Sequence, residues 1–185
     1  MEKVKNNFIL GIDPGTSVTG YSLIEATKPK PTIHSIGIID VKKLDNHYKK
    51  LKHIYDRVLG LVTEYQPDVL AIEAPFYGKN IQSMLKLGRA QGAAITAALS
   101  IDIPIFEYAP RKIKVAITGN GNASKEQVSE FLQSYLNFKL DSKYHDASDA
   151  LAAAVCHYFQ NPALNQSKSY KNWNDFIKKN PDRLA

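Results

Sequence analysis

A chain of 185 residues, 44% apolar and 23% charged, has the size and composition of one globular domain able to bury a proper core. Its single cysteine, Cys156, excludes an intramolecular disulfide and a cysteine-built zinc cluster, and a formal charge of +6 leans modestly toward a polyanionic partner. No apolar run approaches the roughly 18 residues of a membrane span, and MEKVKNN lacks a signal-peptide core, so a cytoplasmic protein without membrane contact is expected.

The stretch 8–16, FILGIDPGT, reads as an apolar strand closed by a Pro-Gly turn, with one acid, Asp13, at its end. A carboxylate at the mouth of a buried strand is costly unless a cation compensates it. Residues 18–26 and 32–41 read as two further strands joined by the short link TKPKP, so three consecutive antiparallel strands are expected. Across 44–65 the period changes. Leu44, Tyr48, Leu51, Tyr55, Val58, Val62 and Tyr65 recur every three or four residues, the stripe of a long helix. Lys42, Lys43, Lys49, Lys50, Lys52 and Arg57 crowd its approach and first half, as a solvated face would.

After Pro67, residues 68–73 (DVLAIE) form a second apolar strand ending in an acid, Glu73. A strand reached through a helix usually runs parallel to its neighbour. If that neighbour is the opening strand, Asp13 and Glu73 lie side by side at one sheet edge. Residues 81–100 are a helix with a seam at Ile81, Leu85, Gly88, Gly92, Ile95 and Leu99, and a second face of small residues, Ala90, Ala93, Ala94 and Ala97. Such a helix suits packing on two sides: its own domain and a second element, for instance the same helix of another subunit.

Residues 103–108 read as a fifth strand. Pro110 opens a short helix, GNGN is a turn, and Ser124 with Gln127 forms a capping box for the next helix. From Tyr108 to Lys125 there are four cations, Arg111, Lys112, Lys114 and Lys125, and no acid. The last helix is expected over 142–159. It carries HDASDAL, in which Asp146 and Asp149, three apart, share a face, with His145 beside them. Residues 1–160 are expected to form the domain. Residues 161–185 are a basic tail in which Tyr170, Trp173, Phe176 and Ile177 suit one short amphipathic helix.

The expected fold is α/β, a five-stranded mixed sheet (three antiparallel strands, then parallel ones) flanked by helices. Its element order brings Asp13, Glu73, Asp146 and Asp149 to one edge. Four carboxylates in one place repel unless cations bind, and their oxygens are the hard ligands that Mg²⁺ and Mn²⁺ prefer. A pair of such ions can hold a phosphodiester and generate the hydroxide that attacks it.

GIDPGT at 11–16, AIEAPF at 71–76, LKLGRAQGAA at 85–94, EYAPRKIKVAITGNG at 107–121, SKEQV and DASDALA at 146–152 together resemble the RuvC family of Holliday junction resolvases. GIDPGT alone also resembles the phosphate loop of the actin-like ATPase superfamily, but that superfamily needs two such domains and more chain. The resemblance implies an RNase H-like fold, a homodimer built on the 81–100 helix, and paired nicks in opposing strands of four-way DNA, with two Mg²⁺ per site or Mn²⁺ in their place. It assigns the catalytic acids to Asp13, Glu73, Asp146 and Asp149, with His145 as the alternative to Asp146 at one metal-ligand position. It places a base-stacking aromatic at Phe76 and lysines that handle the scissile phosphate at Lys114 and Lys125. Tyr77, Lys79, Arg111 and Lys112 are further candidates for DNA contact. Bacterial members of the family work with a branch-migration helicase. An alternative within the same superfamily is a nuclease of RNA or of other branched DNA.

Overall fold

The structure, a computed structural model, describes residues 7–27, 29–75, 80–139 and 145–161, and for His145 the backbone alone. The expected helix within 161–185, the loop residues Phe76, Tyr77 and Lys79, and the side chain of His145 lie outside the described residues.

The elements run β1 (Phe8–Asp13), β2 (Val18–Glu25), β3 (Thr32–Asp40), α1 (His47–Tyr65), β4 (Val69–Glu73), α2 (Ile81–Leu99), β5 (Ile105–Tyr108), α3 (Pro110–Thr118), α4 (Lys125–Leu136) and α5 (His145–Gln160). The sheet order is β3-β2-β1-β4-β5. β1 and β2 pair antiparallel, as do β2 and β3, while β1–β4 and β4–β5 are parallel. The expected mixed sheet is therefore present, with the opening strand in its centre. Among the described residues no helix is long and apolar enough to cross a membrane.

Alternation along the strands divides the core into two layers. Leu10, Ile12, Leu70 and Ile72 join Ile54, Val58, Leu61 and Val62 of α1 and the alanines of α2 on one face. Ile9, Ile24 and Ala71 join α5, α3 and α4 on the other. Asp13 continues the series 9, 11, 13 and Glu73 the series 69, 71, 73, so both acids point to the α5 side. α5 is buried around nearly its whole circumference from Ala150 to Tyr158. Its alanine-rich sequence allows that, because small side chains let it lie between the sheet and α3/α4. Cys156 is a buried core residue there.

Two expectations shift. α1 begins at His47 rather than Leu44, because the Asn46 side chain accepts a hydrogen bond from the Tyr48 backbone N–H and caps the helix there. Tyr48, expected in the buried stripe, is exposed, and the inward face is formed by Ile54, Val58, Leu61 and Val62. The other local signals match. Pro110 is the first residue of α3, and Ser124 and Gln127 exchange side-chain and backbone hydrogen bonds of 2.9 and 3.2 Å at the start of α4.

On α2 the alanine face turns inward, with Ala90, Ala94, Ala97 and Ala98 buried. The longer side chains of the seam stay in solvent: Ile81 is 71% exposed, and Leu85 and Leu99 each 52%. Gly88 and Gly92 on the same stripe have nothing within 4 Å of where a Cβ would stand.

Candidate active site at the end of the central strand

Asp13 ends β1 and Glu73 ends β4, one residue beyond the paired Ile12 and Ile72. The Asp13 turn is pinned from below. Thr19, fully buried, accepts a hydrogen bond from the Gly15 N–H at 3.2 Å, and its hydroxyl donates to the Gly15 carbonyl at 3.3 Å. The third element is α5, and its approach is set by two strand glycines. A Cβ on Gly20, the residue paired with Asp13 across β1 and β2, would stand 2.1 Å from the backbone oxygen of Asp146. A Cβ on Gly11 would stand 2.1 Å from that of Ala150. No side chain fits in either place, so the first turns of α5 lie directly on the sheet and carry Asp146 and Asp149 to the acids at its edge.

The electrostatics record this crowding. Burial, then the charges of Glu73 and Asp149, push the Asp13 carboxyl up to about 8, with Asp146 adding to the rise and Lys125 opposing it. Burial and Asp149 push Glu73 up to about 7 against the pull of Lys125 and Lys114. Lys125, at the first position of α4, donates a hydrogen bond to the Asp149 carboxylate. Burial alone would lower the Lys125 ammonium, but its hydrogen bond to Asp149 and the charges of Asp149, Asp13 and Glu73 raise it above its usual value. Lys114 lines the same cleft as Glu73, Lys125 and Asp149.

The structure thus brings together Asp13, Glu73, Asp149 and Lys125, with Asp146 and Lys114 beside them. It does not bring Arg111 or Lys112 to the acids. Arg111 lies along Gly121, whose missing side chain leaves room for it. Lys112 turns to the β5 edge, its ammonium 5.1 Å from the centroid of the Tyr108 ring.

Residues 9–157 match the family described as crossover junction endodeoxyribonuclease RuvC. The chain belongs to the RuvC family. It is 56% identical to the crossover junction endodeoxyribonuclease RuvC of Bacteroides fragilis, over 100% of this chain and 99% of that one. Against the same enzyme of Porphyromonas gingivalis it is 54% identical, over 97% and 98%. Among solved structures, Thermus thermophilus RuvC superposes with a TM-score of 0.75 at 27% identity, covering 82% of this chain and 93% of that one. The same protein in complex with a Holliday junction substrate gives 0.73 at 26%, covering 82% and 92%. The family is one of metal-dependent nucleases.

The donor set suits a hard divalent cation, since every acid in it offers carboxylate oxygens. The Asp13 and Glu73 carboxyls are raised by burial first and then by mutual repulsion that a bound cation would offset. Among the described residues no three acidic, imidazole or thiol groups close on one point as a ready cage; Asp149 is turned instead to the Lys125 ammonium.

Sequence reasoning missed the glycines that seat α5, and Gln91. Gln91 is buried on α2, lines a pocket with Asp13, Pro14, Glu73 and Leu87, and donates to Glu107 of β5 at 2.8 Å. A glycine inside a strand was the available signal for the first. Gln91 offered none, because its partner lies sixteen residues away on another element.

If Gly20 seats α5, Gly20→Ala lifts the Asp146 turn away from Asp13. Displacement of about an ångström at a reacting centre costs on the order of 100-fold in rate. Single-turnover cleavage at saturating enzyme should fall by about that factor, while binding of the DNA substrate changes little. A wild-type rate in this variant would remove the glycine seat from the account.

Proposed function

We propose that this chain is a structure-selective endonuclease that cuts four-way DNA junctions by metal-assisted phosphodiester hydrolysis, nicking opposing strands as a homodimer in the cytoplasm. The observation that carries the reading is the convergence of Asp13, Glu73 and Asp149, with Asp146 beside them, from three separate elements at one sheet edge flanked by Lys114 and Lys125. Membership in the RuvC family supports the substrate class.

In this reading Asp13, Glu73, Asp146 and Asp149 hold two Mg²⁺ ions, or Mn²⁺, with His145 the alternative to Asp146. When bound, the ions supply an activated water and neutralise charge on the phosphate. Asp13, central in the sheet with Glu73 and Asp149 near it, would be the first of these ligands. Lys125 and Lys114 set positive charge against the oxygens on which charge builds in the transition state. Phe76, three residues after Glu73 in sequence, would offer a ring for a base unstacked at the crossover, a contact worth about 1–3 kcal/mol. Tyr77, Lys79, Arg111 and Lys112 serve as contacts to the backbone and loop bases, which position the junction.

The dimer reading rests on α2. A stripe of exposed Ile81, Leu85 and Leu99 broken by Gly88 and Gly92 is a poor solvent face and a good close-packing one. Two subunits joined there would present two acid sites, one for each strand to be cut.

On a synthetic four-way junction with Mg²⁺, the wild-type chain should give symmetric nicks in opposing strands, and far fewer on plain duplex, a three-way fork or an RNA–DNA hybrid. Asp13→Asn should abolish cutting while junction binding at low salt persists, and excess chelator should do the same to the wild type. Cutting that survives either treatment contradicts the metal-site assignment.

Gly92→Glu, at a position where a Cβ has no neighbour within 4 Å, should yield a monomer by light scattering and convert paired nicks to single ones. A stable dimer in that variant would move the interface elsewhere.

A further inference from the structure

The lysines that crowd the start of α1 gain company in the folded chain. α2 carries two charged side chains, Lys86 and Arg89, both cationic and exposed. Three apart, they share a face of the helix. Across from them on α1, His47 and Lys50 are likewise three apart. α1 packs directly against α2 through their shared apolar layer, and burial first, then the charges of Arg89, Lys86 and Lys50, hold the His47 imidazole below its usual pKa. The His47 Nε2 is buried and has no hydrogen-bond partner.

Neighbouring acids leave most of this charge uncompensated. Lys49 pairs with Asp45 and Lys52 with Asp56. Asp40 accepts from the Lys42 backbone N–H at 2.8 Å. Among the described residues, no ion pair involves the side chains of Lys42, Lys43, Lys50, Lys86 or Arg89. Like charges gathered without counterions destabilise the folded surface, and the arrangement is intelligible if a polyanion completes it.

Position favours the same conclusion. β3 ends at Asp40, which pairs with Val18, and the next residue, Val41, donates its N–H to Ser17 at 3.0 Å, so Lys42 and Lys43 emerge beside the turn that follows Asp13. On α2, Leu87 and Gln91 line the pocket that holds Asp13 and Glu73, while Lys86 and Arg89, in the same half of the helix, lie on its flank toward His47 of α1. The cation cluster and the acid cleft therefore lie at the same end of the molecule.

We propose that Lys42, Lys43, Lys50, Lys86 and Arg89 form a second DNA-contact surface, holding the phosphate backbone of a duplex arm as it leaves the acid site. The proposal rests on the nuclease reading for its choice of DNA as the polyanion. Contacts of this kind position without reading sequence, and each one adds about 0.9 to the steepness with which affinity falls as salt rises.

The test is equilibrium binding of a four-way junction across a salt series, in the Asp13→Asn background so that nothing is cut. Lys50→Gln, Lys86→Gln and Arg89→Gln combined should flatten the slope of log affinity against log salt by about 2–3. The charge-conserving combination Lys50→Arg, Lys86→Arg and Arg89→Lys should keep the original slope. An unchanged slope in the glutamine variant overturns the proposal. So does equal loss in the charge-conserving one, which would show a packing role. A flattened slope alongside a wild-type chain that fails to cut the junction would leave this surface standing and remove the nuclease reading instead.

Discussion

The structure depends on the partial burial of one carboxylate, Asp13, at the end of the central strand. Leu10 and Ile12 anchor β1 between two apolar layers, and the strand cannot move without disturbing both. Asp13 is fixed by that anchorage. Glu73 arrives beside it because β4 runs parallel to β1, and Asp149 arrives above it because α5 lies on bare glycine. The result is a half-buried carboxyl pushed up to about 8 and a neighbour pushed up to about 7. A fold does not keep such groups together for stability; in the proposed reading the arrangement exchanges stability for a place where a hard cation and a phosphate would be held.

Much of this was legible in the chain. Each acid closes an element whose period is clear, so the topology that follows from three antiparallel strands and a helix crossover already sets Asp13 next to Glu73. DxxD at the start of an alanine-rich helix completes the set. Less legible was how α5 gets close enough. Gly11 and Gly20 read as small residues in ordinary strands, and only the backbone of Asp146 and Ala150 standing 2.1 Å from their missing side chains shows what they do. Leu44 fits the apolar period, but the hydrogen bond that the Asn46 side chain accepts from the Tyr48 N–H decides where α1 begins.

α2 shows why periodicity alone misjudges burial. Three of its large apolar side chains, Ile81, Leu85 and Leu99, point to solvent, while Ile95 and four of its alanines face the core. A sequence pattern marks a surface that wants to be covered, but cannot say whether the cover comes from the same chain. The helix also joins the two ends of the account. Leu87 and Gln91 wall the acid pocket, and Lys86 and Arg89 on another flank belong to a cationic face. Cleft, candidate dimer seam and basic surface are three faces of one helix that holds no acid.

If a divalent cation offsets the partial burial and mutual repulsion of the carboxylates at the end of β1, thermal unfolding registers it directly. A carboxyl raised from 3.8 to about 8 in the folded state is protonated in the native protein while the unfolded chain is ionised. Stability of the metal-free protein therefore falls as pH rises between those values and levels off above them. The account predicts that Asp13→Asn melts higher than the wild type near pH 8 without metal, by about 2–4 °C per kcal/mol of relieved repulsion, and that the difference fades near pH 4. Mg²⁺ should raise the melting temperature of the wild type near pH 8 and do little for the variant. A variant that melts at or below the wild type at every pH, or that keeps the full response to Mg²⁺, would contradict it.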